Sequence, residues 1–217
     1  MKVTKNIARF QYITNQWAYV GIEEQVQQVC SAGSRWIQLR LKNMEEEACK
    51  NIALRVQSIC KKYNATFILN DNVQLAKEIN ADGVHLGQND LSPATARNIL
   101  GNNAIIGGTA NSFEQIQKLN NQKIDYIGLG PFRFTKTKKN LAPILGLAGY
   151  KHIIENCTKA EIELPLIGIG GITPDDIPEI LKTGIYGIAA SSIISNADVK
   201  KTTTDILNRI ITDRSIY

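Results

Sequence analysis

Residues 166–193 read LIGIGGITPDDIPEILKTGIYGIAASSI. A short apolar run, Leu166–Ile169, ends in paired glycines. Thr173-Pro174 then has the look of a helix N-cap with proline at the first helical position. Apolar residues at helical spacing continue to Lys182, and a second apolar run, Gly187–Ala190, closes on Ser191-Ser192. Strand, helix and strand in such quick succession imply two parallel strands joined by a crossover helix.

Working outward, the same unit recurs eight times. The expected strands are Arg9–Ile13, Trp36–Arg40, Thr66–Leu69, Gly83–Leu86, Ala104–Gly107, Tyr126–Gly130, Leu166–Ile169 and Gly187–Ala190. Helices are expected over Glu23–Ala32, Glu45–Tyr63, Val73–Ile79, Ser92–Leu100, Ser112–Leu119, Leu147–Asn156, Pro174–Lys182 and Asp198–Asp213. At about 27 residues per unit this is a compact α/β chain, read as a single (β/α)8 TIM barrel spanning 1–217 with mostly short loops. An open doubly wound sheet shares the alternation. No G-x-G-x-x-G follows the first strand, however, and no G-x-x-x-x-G-K-[ST] occurs anywhere.

Composition is that of an ordinary globular chain, with 43% hydrophobic and 21% charged residues. No apolar stretch is long enough for a signal peptide or a membrane span, so a soluble, cytoplasmic protein is expected. Cys30, Cys49, Cys60 and Cys157 show no C-x-x-C spacing and are expected to be free thiols rather than zinc ligands. The net charge of +5 suits an anionic partner. Lysines and arginines are nevertheless scattered, often beside acids, with no aromatic-interleaved stripe for nucleic acid. Small phosphorylated substrates fit better. The sequence leaves the oligomeric state open, and a homo-oligomer is compatible with it.

In a barrel the reactive groups gather at the C-terminal ends of the strands. On strand two, Gln38, Arg40 and Lys42 alternate with Ile37, Leu39 and Leu41, so the polar set shares one face directed toward the barrel mouth. Two cations and an amide there suit a diphosphate. Strand three ends in Asn70-Asp71 and strand four leads to Asp90. Two carboxylates past neighbouring strands could hold Mg2+ together with phosphate oxygens, or could instead cap the following helices. His85, inside strand four, reads as a packed, hydrogen-bonded histidine. Strand five delivers Thr109, weak evidence alone.

The segment after strand six, GPFRFTKTKKN from Gly130 to Asn140, is dense in hydroxyls and cations and is expected to form an anion-binding flap, with Arg133 and Lys136 its solvated cations. Gly170-Gly171 after strand seven and Ser191-Ser192 after strand eight occupy the usual phosphate site of such barrels, where glycine lets a phosphate reach backbone amides. A side chain at 171 is expected to fill that space. One phosphate site lies at strands seven and eight and another at strands two to four, which implies two phosphorylated substrates.

Taken together, QLRLK, ND, DGVHLGQND, DYIGLGPFRFTKTKK, GIGGI and SSII, in this order from Gln38 to Ser192, resemble the thiamine-phosphate synthase family. The resemblance implies that Gln38, Arg40, Lys42, Asn70, Thr109 and Lys138 hold a pyrimidine diphosphate while Asp71 and Asp90 carry Mg2+. It implies that Thr135, Thr137, Gly171, Ser191 and Ser192 hold a thiazole phosphate. The thiazole nitrogen would then displace pyrophosphate from the pyrimidine methylene through a dissociative path, with Arg40, Lys42 and Lys138 as the catalytic cations. The family usually has serine at Thr109, histidine at Asn111 and an apolar residue at Ser191. The added methyl of Thr109 is expected to reduce space near the diphosphate. A thiazole tautomerase of the same superfamily would have no use for the carboxylates or the QLRLK cations. The acid/base pair of other phosphate-using barrels, such as tryptophan- or histidine-pathway isomerases, is not found among the strand ends. A non-catalytic thiamine-phosphate-binding module is the third alternative.

Overall fold

The structure is a computed structural model, and it describes residues 5, 7–134, 143–195 and 197–212. Eight parallel strands pair in chain order and close into a barrel: β1 (Phe10–Ile13), β2 (Trp36–Leu39), β3 (Thr66–Asn70), β4 (Gly83–Leu86), β5 (Ile105–Ala110), β6 (Tyr126–Leu129), β7 (Leu166–Ile169) and β8 (Gly187–Ala190). Closure runs through β1 and β8, with Phe10 opposite Ile188 and Tyr12 opposite Ala190. The helices are α1 (Ile22–Ser31), α2 (Glu46–Lys62), α3 (Val73–Glu78), α4 (Pro93–Leu100), α5 (Phe113–Asn120), α6 (Gly146–Lys159), α7 (Ile177–Lys182), α8 (Ser192–Ser195) and α9 (Val199–Thr212). No helix among the described residues is long and apolar enough to cross a membrane.

The two-residue period of each strand sorts its side chains into two cores. On β2, Ile37 and Leu39 face outward with Val26, Val29 and Cys60, while Trp36 faces inward with Ile68, Tyr126 and Ile167. Full burial of such side chains stabilises by about 1.5–3 kcal/mol each. Trp36 meets Tyr126 edge-on at 4.7 Å between ring centres. Gly107 makes the inward turn of the Tyr126 ring possible, because a Cβ there would lie 2.1 Å from the Tyr126 Cζ. Gly128 does the same for His85, whose Cε1 would be 3.1 Å from an added Cβ.

Three boundaries differ from the sequence expectation in ways that bear on function. β5 continues to Ala110 because Gly108, Thr109 and Ala110 still pair with Ile127, Gly128 and Leu129 of β6. Thr109 therefore belongs to a barrel strand and faces inward with Gly107. The seventh helix starts as a 3-10 turn, Pro174–Asp176, before α7. The four-residue α8 directly after β8 was not anticipated. All four cysteines are free thiols on helices, Cys157 included because α6 extends to Lys159.

Candidate active site at the barrel mouth

The C-terminal ends of β2, β3 and β4 bring the expected cations and carboxylates together. Lys42 Nζ is ion-paired with Asp71 Oδ2. Arg40 is half-buried beside Asp71; burial pulls its guanidinium below the ordinary value and the Asp71 charge opposes that. Asp71 sits in left-handed backbone at φ +65°, which costs a side-chain-bearing residue about 1 kcal/mol or more. Its N–H donates to the His85 carbonyl at 2.9 Å, fixing the turn out of β3 against β4.

Asp71 and Asp90 lie close enough to shift each other's pKa. Burial and the neighbouring Asp90 hold the Asp71 carboxyl above its usual range, with Lys42 opposing. Burial also acts to raise Asp90, but its neighbour Asp71 and the hydrogen bond from the Gly87 N–H, with the charge of Lys42, leave it below its usual value. Of the two acids, Asp71 is therefore the one that takes up a proton more readily. Neither acid is a helix cap: Asn72 caps α3, accepting from Leu75 N at 2.9 Å, and Ser92 caps α4, accepting from Thr95 N at 3.2 Å. Asp90 Oδ2 instead accepts from Gly87 N at 2.7 Å. Two adjacent carboxylates that cap nothing are a hard-oxygen pair suited to Mg2+. Among the described residues no group of three or more histidines, cysteines or acids that could hold a metal ion is found.

Lys42 is held by a residue the sequence did not flag. Gln16, in the β1–α1 loop, accepts from Lys42 N at 2.6 Å and donates to Lys42 O at 2.9 Å. That loop is fixed in turn by Gln25, fully buried on α1, which donates to the carbonyls of Asn15 and Val20.

Beneath these charges lies a polar layer inside the barrel. Gln38 shares the face of Arg40 but is only 2% exposed, and it donates to Gln11 Oε1 at 3.2 Å. Asn70 ends β3 half-buried. Thr109 is half-buried with its hydroxyl 3.0 Å from His85 Nε2. His85 is thus a hydrogen-bonded histidine, as expected. Asn111, one of the departures from the family pattern, ties β5 to β6 by donating to the Gly130 carbonyl.

On the other side of the mouth, Gly170 and Gly171 follow β7 at φ +98° and +69°. The segment leaving β6 lies against them: Phe132 N donates to Ile169 O and Arg133 N to Gly170 O, both at 2.8 Å. A Cβ on Gly171 would meet Arg133 Cβ and the Phe134 carbonyl at 3.0 Å. A side chain at 171 thus strikes this segment as well as the space expected for a ligand. Arg133 is exposed, as expected of a solvated cation, but it is also ion-paired. It donates to Gly171 O at 2.9 Å and grips both oxygens of Asp176, at 2.9 and 2.8 Å. Asp176 also accepts from Thr173 N and Oγ1. The Arg133 pair, partly opposed by burial and helped by Thr173, brings the Asp176 carboxyl down to about 2.

Ser191 follows β8 and Ser192 opens α8, with the N–H groups of Ile194 and Ser195 turned back onto the Ser191 carbonyl. Thr135, Lys136, Thr137 and Lys138 lie outside the described residues. A groove at the opposite, N-terminal end of the barrel, lined by Lys5, Lys77, Asp82 and Ala104 among others, gathers none of these groups. Asp82 there serves the fold, accepting from Phe67 N at 2.7 Å.

Comparison with known proteins shows the family of the chain. The sequence model of a family described as thiamine monophosphate synthase matches residues 11–194. A thiamine-phosphate synthase of Flavobacterium johnsoniae is 51% identical, over 86% of this chain and 90% of the relative. A second, from Phocaeicola vulgatus, is 49% identical with the same coverage. Among solved structures, a thiamine phosphate pyrophosphorylase from Pyrococcus furiosus superposes with a TM-score of 0.84 at 31% identity, covering 94% of this chain and 96% of that one.

Proposed function

This chain belongs to the thiamine monophosphate synthase family and makes thiamine phosphate, and we propose that it joins a pyrimidine diphosphate to a thiazole phosphate across the mouth of its barrel. The observation that carries this reading is the division of the mouth. Arg40, Lys42, Asp71 and Asp90 crowd the ends of β2 to β4, while the Gly170-Gly171 turn and Ser191-Ser192 stand at the ends of β7 and β8. Each half suits one anionic group, and neither needs the other's residues.

In this reading Gln38, Arg40, Lys42, Asn70, Thr109 and Lys138 take the pyrimidine diphosphate, with Gln38 as the buried floor of that half. Thr135, Thr137, Gly171, Ser191 and Ser192 take the thiazole phosphate. Asp71 and Asp90 hold Mg2+, which when bound supplies Lewis-acid neutralisation of the diphosphate. The methylene C–O bond breaks first, its bonding pair leaving with pyrophosphate, and the thiazole nitrogen lone pair then forms the new C–N bond to the pyrimidine-stabilised cation. No proton moves, so no general base is required. Arg40, Lys42 and Lys138 stabilise the charge that builds on the departing oxygen, and holding both rings in line lowers the entropic cost. The four free thiols support a reducing, cytoplasmic setting.

The test is formation of thiamine phosphate from hydroxymethylpyrimidine diphosphate and thiazole phosphate, read as fluorescent thiochrome after oxidation. Product with Mg2+ and none with chelator is expected. Turnover that is indifferent to chelator removes the metal role from Asp71 and Asp90. No turnover from folded protein with both substrates present would favour a tautomerase.

A further inference from the structure

Four hydrogen bonds cross the inside of the barrel in series. Gln38 Nε2 donates to Gln11 Oε1 at 3.2 Å, Gln11 Nε2 donates to the Tyr126 hydroxyl at 3.1 Å, and that hydroxyl lies 3.0 Å from His85 Nδ1. His85 Nε2 lies 3.0 Å from Thr109 Oγ1. The chain runs from β2 through β1, β6 and β4 to β5, and its two ends are residues assigned above to the pyrimidine diphosphate half. Gln11 and Gln38 are each 2% exposed and Tyr126 is fully buried.

With the Gln38 amide donating to Gln11 Oε1, the donor inventory sets the direction of this chain. Once Gln38 has donated to the Gln11 oxygen, Gln11 has only its amide N–H to offer Tyr126. Tyr126 therefore accepts from Gln11 and turns its own proton to His85 Nδ1. An acceptor at Nδ1 leaves the neutral ring protonated at Nε2, and that N–H donates to Thr109. With its oxygen occupied from inside the barrel, the Thr109 hydroxyl has its proton left for an acceptor in the mouth. Glycines at 107 and 128 leave the space in which Tyr126 and His85 make these contacts.

We infer that Gln11, Tyr126 and His85 are positioning residues that orient the Thr109 hydroxyl as a donor toward a phosphate oxygen of the pyrimidine diphosphate. The inference rests on the assignment of Thr109 to that substrate. It extends it by making a side chain's proton direction depend on a buried amide far around the barrel.

His85 and His152 are the two histidines of the chain, and His152 is exposed on α6, so 15N NMR of the ring nitrogens resolves His85 against an internal control. The expected spectrum has His85 protonated at Nε2 and bare at Nδ1, and Tyr126→Phe shifts Nδ1 while leaving His152 unmoved. A proton found on Nδ1 overturns the relay whatever the kinetics show. In steady-state assays Thr109→Val should raise the KM for the pyrimidine diphosphate by about tenfold or more, as expected for a lost hydrogen bond to a charged group, with Thr109→Ser restoring it. Tyr126→Phe alone should raise the same KM several-fold, and in the Thr109→Val background it should add nothing. Additive effects of the two overturn the relay. A wild-type KM in Thr109→Val overturns the contact on which the inference rests, and does so independently of the NMR result. Should Tyr126→Phe fail to fold, Gln11→Met, which removes the donor that turns the Tyr126 hydroxyl toward His85, should move the same KM and Nδ1 readings in the same direction.

Discussion

Replacing Asp176 by Asn isolates one ion pair that joins the two loops on the glycine side of the mouth. Asp176 accepts from both Arg133 nitrogens and from Thr173, and Arg133 passes the connection to Gly171 O. An Asn side chain can keep the Thr173 contacts through its oxygen but turns an NH2 toward an Arg133 nitrogen now 2.8 Å from Oδ1. Lowering the carboxyl from 3.8 to about 2 corresponds to at most about 2.5 kcal/mol of stabilisation. Arg133 is 50% exposed, so solvent screening reduces the expected loss to about 1 kcal/mol. Because the folded value is depressed, this stabilisation is complete above the unfolded value near 3.8 and disappears as pH falls through about 2. In urea melts the gap between wild type and Asp176→Asn should be full at pH 7 and reduced to about half at pH 3. The KM for thiazole phosphate should rise with that for the pyrimidine diphosphate unchanged. Equal midpoints at pH 7, or a gap that does not shrink with acid, would refute the ion-pair argument.

Asp71→Asn and Asp90→Asn should each reduce turnover by about a hundredfold or more at millimolar Mg2+, if one or two carboxylates supply all the protein ligands; wild-type rates in either variant would remove it from the metal site. Since Asp71 holds its proton above the usual carboxylate range, Mg2+ affinity measured by titration should begin to fall on acidification before an ordinary aspartate would titrate, and a pH-independent affinity contradicts that. Gly171→Val forces a β-branched residue to φ +69° and against Arg133, so a lower melting temperature should accompany weaker thiazole-phosphate binding. A normal melting temperature with weakened binding would mean simple blocking of the ligand. Gly107→Ala sets a methyl 2.1 Å from the Tyr126 ring and should cost about 1–3 kcal/mol or more in denaturant midpoint, whereas a neutral substitution would mean the ring packs elsewhere.

Much of the site was legible before any coordinates. The alternation in Trp36–Lys42 put Arg40 and Lys42 on one face, and both stand at the mouth beside Asp71. The turn after β7 announced itself through Gly170 and Gly171, the residues that adopt positive φ there. The choice between metal ligand and helix cap for Asp71 and Asp90 was open in the sequence, because capping depends on which side chain reaches which N–H. Asn72 and Ser92 turned out to do it. Gln11, Gln16, Tyr126 and Asp176 were not singled out from the sequence, since each acts through a partner remote in the chain.

What the sequence by itself determined is what repeats locally: eight strand and helix units, the inward face of each strand, and the residues at strand ends. Backbone geometry imposes these periods of two and 3.6, and they can be read from a few neighbouring residues. What only the tertiary structure decided is which groups meet across the barrel. Gln38 reaches Gln11, Tyr126 reaches His85, and Arg133 reaches Asp176. Those contacts follow from the register at which β1 closes on β8 and from the glycines that give the rings room. Closure is a property of all eight strands at once, and no local window of the chain contains it.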